Sequence, residues 1–342
     1  MLSRVADHLY WMSRYIERAE NIARLMQVSV ELLLDGGGSS ARKGGDYWSP
    51  VLAATAMEGA FRLLYPDPQP GDSSYFLTLD ERNPDSIRSC IREARENART
   101  ARDQISDEMW SELNQLYLLI DSDRGAALLE ATPQAFFEKI IQSSLLFGGI
   151  TSATLSRTEG WHFLQLGKFL ERADKTSRFL DIKAQSVDPS DTDLEALEWG
   201  TILRACSAQA SYRRVNGTEF SAERVLDLLL LSTEFPRSVR FCVRMADEML
   251  HNITGTLTGR YSNRCEKLAG ALLARLNFAA ASDVLDRGLH DYIDDLQVAL
   301  NETAQAIFET YVLIPQDTTQ NIIHPATFDP LGYHYQSQQQ QQ

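Results

Sequence analysis

A chain of 342 residues, 44% of them hydrophobic, can bury a large core and is long enough for two domains. Its formal charge of -14 argues against a general binder of nucleic acid or anionic membrane, since both need basic surface to displace counterions. No apolar run of about 18 residues occurs, and Arg4, Asp7, His8 and Arg14 break up the N-terminus, so neither a membrane span nor a leader is expected and the protein should be soluble and cytoplasmic.

Helical periodicity begins at once. Val5, Leu9, Met12, Ile16, Ala19, Ala23, Met26 and Val30 recur at threes and fours, and Trp11, Tyr15, Ile22 and Leu25 widen the stripe to about half the circumference. Such a helix touches more than one neighbour. At about 100° per residue, Tyr10, Arg14, Glu17, Asn21 and Arg24 fall on the other face, and Arg18 lies about 100° beyond Glu17, so those two do not pair. Gly36 to Gly45 reads as a linker, because it lacks the preceding strand and the Gly-Lys-Ser/Thr ending of a phosphate loop.

Asn83 before Pro84, and Thr132 before Pro133, read as helix starts with proline at the first helical position. After the first of these, Arg88, Arg92, Arg95, Arg99 and Arg102 share a broad face with Glu93, Glu96 and Asp103, a pattern better suited to a salt-bridged solvated face than to an anion site. Ser190 or Asp191 can cap the helix containing Trp199. Residues 315–342, ending in five glutamines, show no periodicity and read as a disordered tail. Cys90, Cys206, Cys242 and Cys265 stand singly, as reduced packing residues.

The first helix recurs. His8, Tyr15, Glu17, Arg18, Ala19, Glu20 and Arg24 meet His162, Phe169, Glu171, Arg172, Ala173, Asp174 and Arg178 at an offset of 154. At 151, Trp48, Leu52 and Arg62 meet Trp199, Leu203 and Arg213; at 152, Pro84, Ser86, Arg88, Cys90, Arg92 and Ala94 meet Pro236, Ser238, Arg240, Cys242, Arg244 and Ala246. The expectation is an all-α, tandemly duplicated helical bundle with pseudo-twofold related halves at 1–150 and 151–314, which can share one core.

From the Leu2-Ser3-Arg4 opening to the helix ending near Tyr311, these motifs resemble the bacterial Alpha-E domain, an all-helical domain with a Glu-Arg motif that typically occurs as a tandem duplication. The resemblance implies a part in a peptide synthesis or modification system. It also implies partners: a circularly permuted ATP-grasp ligase, a transglutaminase-like protein and an N-terminal-nucleophile peptidase. No activity of the helical domain follows from it, no cofactor is implied, and the sequence leaves a homo-oligomer open. A transglutaminase-like partner makes a modified glutamine tail conceivable, but a solvated tail is the simpler reading.

The repeated charges, Arg14, Glu17, Arg18, Arg24, Lys168, Glu171, Arg172 and Arg178, are the substrate- or partner-binding candidates, and no residue is assigned as catalytic. Two readings stay open. Glu17 and Glu171 can be buried beneath other helices, satisfying arginines and conferring specificity; or they can line a cleft where Glu accepts an amine or proton and Arg grips a carboxylate. A twofold arrangement would bring Glu17 near Arg172 and Glu171 near Arg18.

Glu159-x-x-His162 and Glu248-x-x-His251 have the spacing of di-iron carboxylate bundles. Gly160 interrupts the first, no Glu stands three before His8, and Arg99 stands opposite His251, so no metal is assigned. A nucleophile elbow of the Gly-x-Ser-x-Gly type is missing from the sequence. The function expected is an accessory or scaffold component of the peptide system. The alternative is a stand-alone enzyme acting on a peptide or amino-acid-like substrate through a Glu/Arg-lined cleft.

Overall fold

Every residue from Leu9 to Met26 is buried, although the apolar stripe read from the sequence covers only half of that helix. The computed structural model describes residues 1, 3–35, 49–69, 71–184 and 192–313. The linker at 36–45, the cap at Ser190 or Asp191 and the tail at 315–342 lie outside the described residues.

Among the described residues the chain is all-helical, with no strand. Its helices of 14 residues or more are α1 (Ser3–Asp35), α2 (Ile87–Thr100), α3 (Asp107–Ile120), α4 (Pro133–Thr154), α5 (Glu159–Ala184), α6 (Thr192–Ala205), α7 (Val239–Thr254), α8 (Arg264–Asn277) and α9 (Leu289–Tyr311). α2 and α4 flank α1, and α3 packs on both of them. In the same way α7 and α9 flank α5, and α8 packs on both of those. The two groups meet where α1 lies along α5, and one hydrophobic cluster runs through both, from Leu9 and Met26 to Val243 and Leu296. No single helix among the described residues is long and apolar enough to cross a membrane.

The start expected at Asn83–Pro84 falls later. Asn83 builds a turn instead, donating to the Phe76 carbonyl at 2.9 Å and accepting from the Asp85 amide at 3.0 Å, and Ser86 caps α2 by accepting from the Ser89 amide at 3.2 Å. The two polar residues closer to the helix divide the work, one shaping the approach and one satisfying an orphan amide. Thr132 does stand at the N-cap position of α4 with Pro133 first in the helix, but its side chain makes no capping bond.

α5 mirrors the burial of α1. From Phe163 to Leu180 every residue is buried except Lys168 and Arg178, so the polar positions of both central helices lie inside the protein. Charge at those positions must be neutralised by charge, because an unpaired ion in such surroundings costs several kcal/mol or more.

Candidate functional site

Glu17 and Glu171 sit one turn along the α1–α5 crossing, and each reaches the arginine of the other helix. Arg172 donates to Glu17 through Nε at 2.8 Å and Nη2 at 2.7 Å. Arg18 donates to Glu171 through Nε at 2.7 Å and Nη2 at 3.2 Å. Both pairs are two-pronged, which fixes the register of α1 on α5 as well as neutralising the charges. The adjacent Glu17 and Arg18 do not pair with each other, as their angular separation requires.

Further ions gather around each carboxylate. Glu171 also accepts from Arg14 Nε at 2.8 Å and lies 3.6 Å from Lys175, while Arg18 reaches on to Asp85. Asp174 holds Arg178 and Lys175, each at 3.0 Å. On the other side Arg237 donates to Glu17 at 3.1 Å and to Glu20, which also holds Arg24 at 2.7 Å. Burial works against both carboxylates, yet Arg172 and Arg237 outweigh it to hold Glu17 down to about 2, and Arg18, Arg14 and Lys175 hold Glu171 well below the usual range.

The two ends are unequal. At the 154 offset Arg14 and Lys168 correspond. Arg14 closes on Glu171, but the place that Lys168 would take on Glu17 is filled by Arg237. Lys168 has no carboxylate within ion-pair distance and no hydrogen-bond partner among the described residues, and it faces a cleft of about 330 Å³ between α1, α4 and α5. Burial and then the neighbouring Arg172 push its amine down to about 8.

Similarity to known proteins agrees with this geometry. The Alpha-E family, described as a predicted alpha-helical domain with a conserved ER motif, matches residues 1–312. The chain belongs to the Alpha-E family. Curated relatives include the uncharacterized proteins Rv2567 of Mycobacterium tuberculosis strain H37Rv and Mb2597 of Mycobacterium bovis, each 24% identical over 91% of this chain and 37% of the relative. The chain therefore spans little more than a third of the length of those relatives. No solved structure matches it.

In this Alpha-E chain the other sequence candidates separate. The arginines of α2 face carboxylates: Arg88 meets Asp121 at 2.8 Å and Glu81 at 3.0 Å, and Arg95 and Arg99 both hold Glu96. The two Glu-x-x-His motifs do not assemble. Glu159 pairs with the N-terminal amine at 2.7 Å, Glu248 lies 3.7 Å from Arg244, and His162 lies against Met249. Both ring nitrogens of His251 lie against carbonyls, of Asp247 at 2.7 Å and Arg260 at 3.0 Å, so neither is open to a metal; against the effect of burial, those carbonyls raise its pKa. The ligand-type side chains that do converge, Asp181, His290 and Asp294, belong to neither motif, and His290 pairs with both carboxylates. All four cysteines are buried free thiols, and burial pushes Cys206 and Cys242 up to about 12, so neither is a nucleophile.

Sequence reasoning missed Arg237, Asp85 and Gln165. A signal existed for the first two: at the 152 offset Asp85 aligns with Arg237, opposite charges at matching positions beside Pro84 and Pro236.

Lys168→Met should stabilise the protein by about 1–3 kcal/mol at pH 7, because it removes a half-buried cation with no ion-pair partner among the described residues, whose nearest carboxylates, Glu17 and Glu20, are already held by arginines. Between about 8 and 10.5 the unfolded chain binds more protons at this residue than the folded protein. Wild type therefore gains stability through that window, and the variant's advantage, full below about 8, shrinks across it. Paired urea titrations at neutral and alkaline pH measure this; an advantage that is absent at pH 7 would show that Lys168 is already neutralised.

Proposed function

We propose that this Alpha-E protein is an accessory binding component of a peptide synthesis or modification system, working with circularly permuted ATP-grasp and transglutaminase-like proteins. The observation that carries this reading is the internal neutralisation of the Glu-Arg motifs. Glu17 and Glu171 spend their carboxylate oxygens on arginines of the opposite helix, so neither is free as a base or nucleophile, and of the charged groups lining the cleft Lys168 is the one without an ion-pair partner among the described residues. Groups able to hold a ligand are present there without an acid, base and nucleophile in mutual reach. The curated relatives support the same reading, since the aligned region is 37% of each and the remainder is further sequence with which such a module can work. A cytoplasmic setting, where a ligase has ATP, belongs to the proposal. So does an origin by tandem duplication, which the crossed pairs and the matching surroundings of α1 and α5 favour.

Affinity purification of the tagged protein from its own cells is expected to bring down an ATP-grasp or transglutaminase-like protein. The alternative, a stand-alone enzyme, would take its base from Lys168, whose amine is pushed down to about 8. A preparation that arrives alone and converts a peptide by itself would decide for that alternative.

A further inference from the structure

We propose that the cleft between α1, α4 and α5 binds the free carboxylate of a peptide or amino-acid ligand, with the Lys168 ammonium as counter-ion and the Gln165 amide as hydrogen-bond donor. The inference rests on the accessory reading and names its ligand class.

The charge inventory comes first. Around this end of the crossing Glu17 and Glu20 already face three guanidinium groups, those of Arg24, Arg172 and Arg237, before Lys168 is counted. Glu17 and Glu20 line the cleft with Lys168 and Arg172, but Arg24 and Arg237, outside that lining, also hold the two carboxylates, so the charge of Lys168 is left over. Lys168 has no hydrogen-bond or ion-pair partner among the described residues, and the burial that lowers its pKa is relieved when an anion arrives. Gln165 adds an independent sign: it is only 7% exposed, lines the same cleft one turn away, and its amide makes no hydrogen bond among the described residues. The amide is reachable only from the cleft, and a ligand oxygen between Gln165 and Lys168 would bond to both.

The walls are shaped for a ligand. Gly148 and Gly149 interrupt the middle of α4, where glycine costs roughly 0.5–1 kcal/mol relative to alanine. A Cβ at either position would meet nothing within 4 Å, so packing does not demand them; they leave the cleft wall bare for a ligand backbone. The groove on the opposite side of α1, bordered by α5 and α9, shows the contrast. At the 154 offset Tyr10 and Trp11 stand there in place of Leu164 and Gln165, and with Gln305 and Phe308 of α9 they leave only about 20 Å³. One groove is filled and its cation is paired; the other is open, at about 330 Å³, and its cation lies over the Phe169 ring with no hydrogen-bond or ion-pair partner among the described residues. That volume is at the small end of ligand pockets and suits a short peptide terminus. A carboxylate fits better than a phosphate dianion, because Lys168 offers a single charge and Glu17 and Glu20 stand behind it.

The test uses the full chain, with lysine side chains labelled at the ε carbon and observed by NMR. The chain has six lysines, so the Lys168 signal is assigned by its loss in Lys168→Met. N-acetyl-alanyl-alanine should raise the Lys168 titration midpoint and bind about 10- to 100-fold more tightly to wild type than to Lys168→Met. Its C-terminal amide should bind as weakly to wild type as the acid does to the variant. Gly149→Leu, which adds bulk to the cleft lining without altering a charge, should weaken binding of the acid as well. The proposal is overturned if the acid leaves the Lys168 signal unmoved, if inorganic phosphate moves it and the acid does not, or if Lys168→Met binds the acid equally well. Acid binding and partner capture are separate readouts. Loss of the first with the second intact removes the ligand assignment alone, and the reverse removes the accessory reading alone.

Discussion

Glu171→Gln is expected to cost about 3–5 kcal/mol of folding stability, far more than a surface charge change. The substitution preserves shape but strips the counter-charge from Arg14, Arg18 and Lys175, all of which are buried with it. Arg18 keeps Asp85, whereas Arg14 keeps no carboxylate among the described residues, only the Tyr10 hydroxyl at 3.0 Å and the rings of Tyr10 and Trp11. Arg14→Met combined with Glu171→Gln should therefore lose less than the sum of the two single changes, by about 1–3 kcal/mol. Chemical denaturation of the four proteins measures the coupling. Additive losses would mean that shape, and not charge, holds this part of the crossing.

The same carboxylates fix the response to acid. Their pKa values are lowered in the folded protein, so their contribution is complete above the ordinary value of 4.5 and is lost as pH falls toward the folded one, about 2 for Glu17 and well below 4.5 for Glu171. Wild type should lose stability progressively below pH 4.5, and Glu171→Gln should show a shallower loss over the same range.

The all-helical class and the central place of α1 were legible because the apolar residues recur at helical spacing over many turns, which a strand cannot satisfy. The crossed pairs could be anticipated from the Glu-Arg repeat, since adjacent residues on a helix point about 100° apart and each had to find a partner elsewhere. The depth of burial could not. Periodicity marks Glu17, Asn21 and Arg24 as a polar face, and a polar face normally meets water; here that face meets Arg172, Arg237 and Ser207 instead. The start of α2 was misplaced because Asn-Pro carries the signature of a cap and of a turn equally, and only the position of Ser86 decides. Lys168 was visible as a repeated position, but its release from Glu17 depends on Arg237, which comes from α7's approach and lies 69 residues further along.

Gly167→Ala should destabilise the protein by about 3 kcal/mol or more, through a contact no sequence pattern displays. A Cβ at Gly167 would lie 2.2 Å from the Tyr10 carbonyl oxygen, 3.1 Å from its carbon and 3.3 Å from Arg14 Cγ. Two of those atoms are backbone of α1, so no rotamer change relieves the overlap and the two central helices must separate. The position 154 residues earlier is also small: Ser13, whose hydroxyl donates to the Leu164 carbonyl at 2.6 Å across the same interface. Separation would stretch that bond and, one turn along, the Arg18–Glu171 and Arg172–Glu17 pairs, whose two-pronged geometry tolerates little displacement. Gly149→Ala is the matched control, because its Cβ meets open space and the helix should gain about 0.5–1 kcal/mol. Urea denaturation of both variants separates helix propensity from close approach. If Gly167→Ala falls within 1 kcal/mol of wild type, the α1–α5 crossing can open without breaking its charge pairs, and the register of the two helices is held by something other than their backbones' proximity.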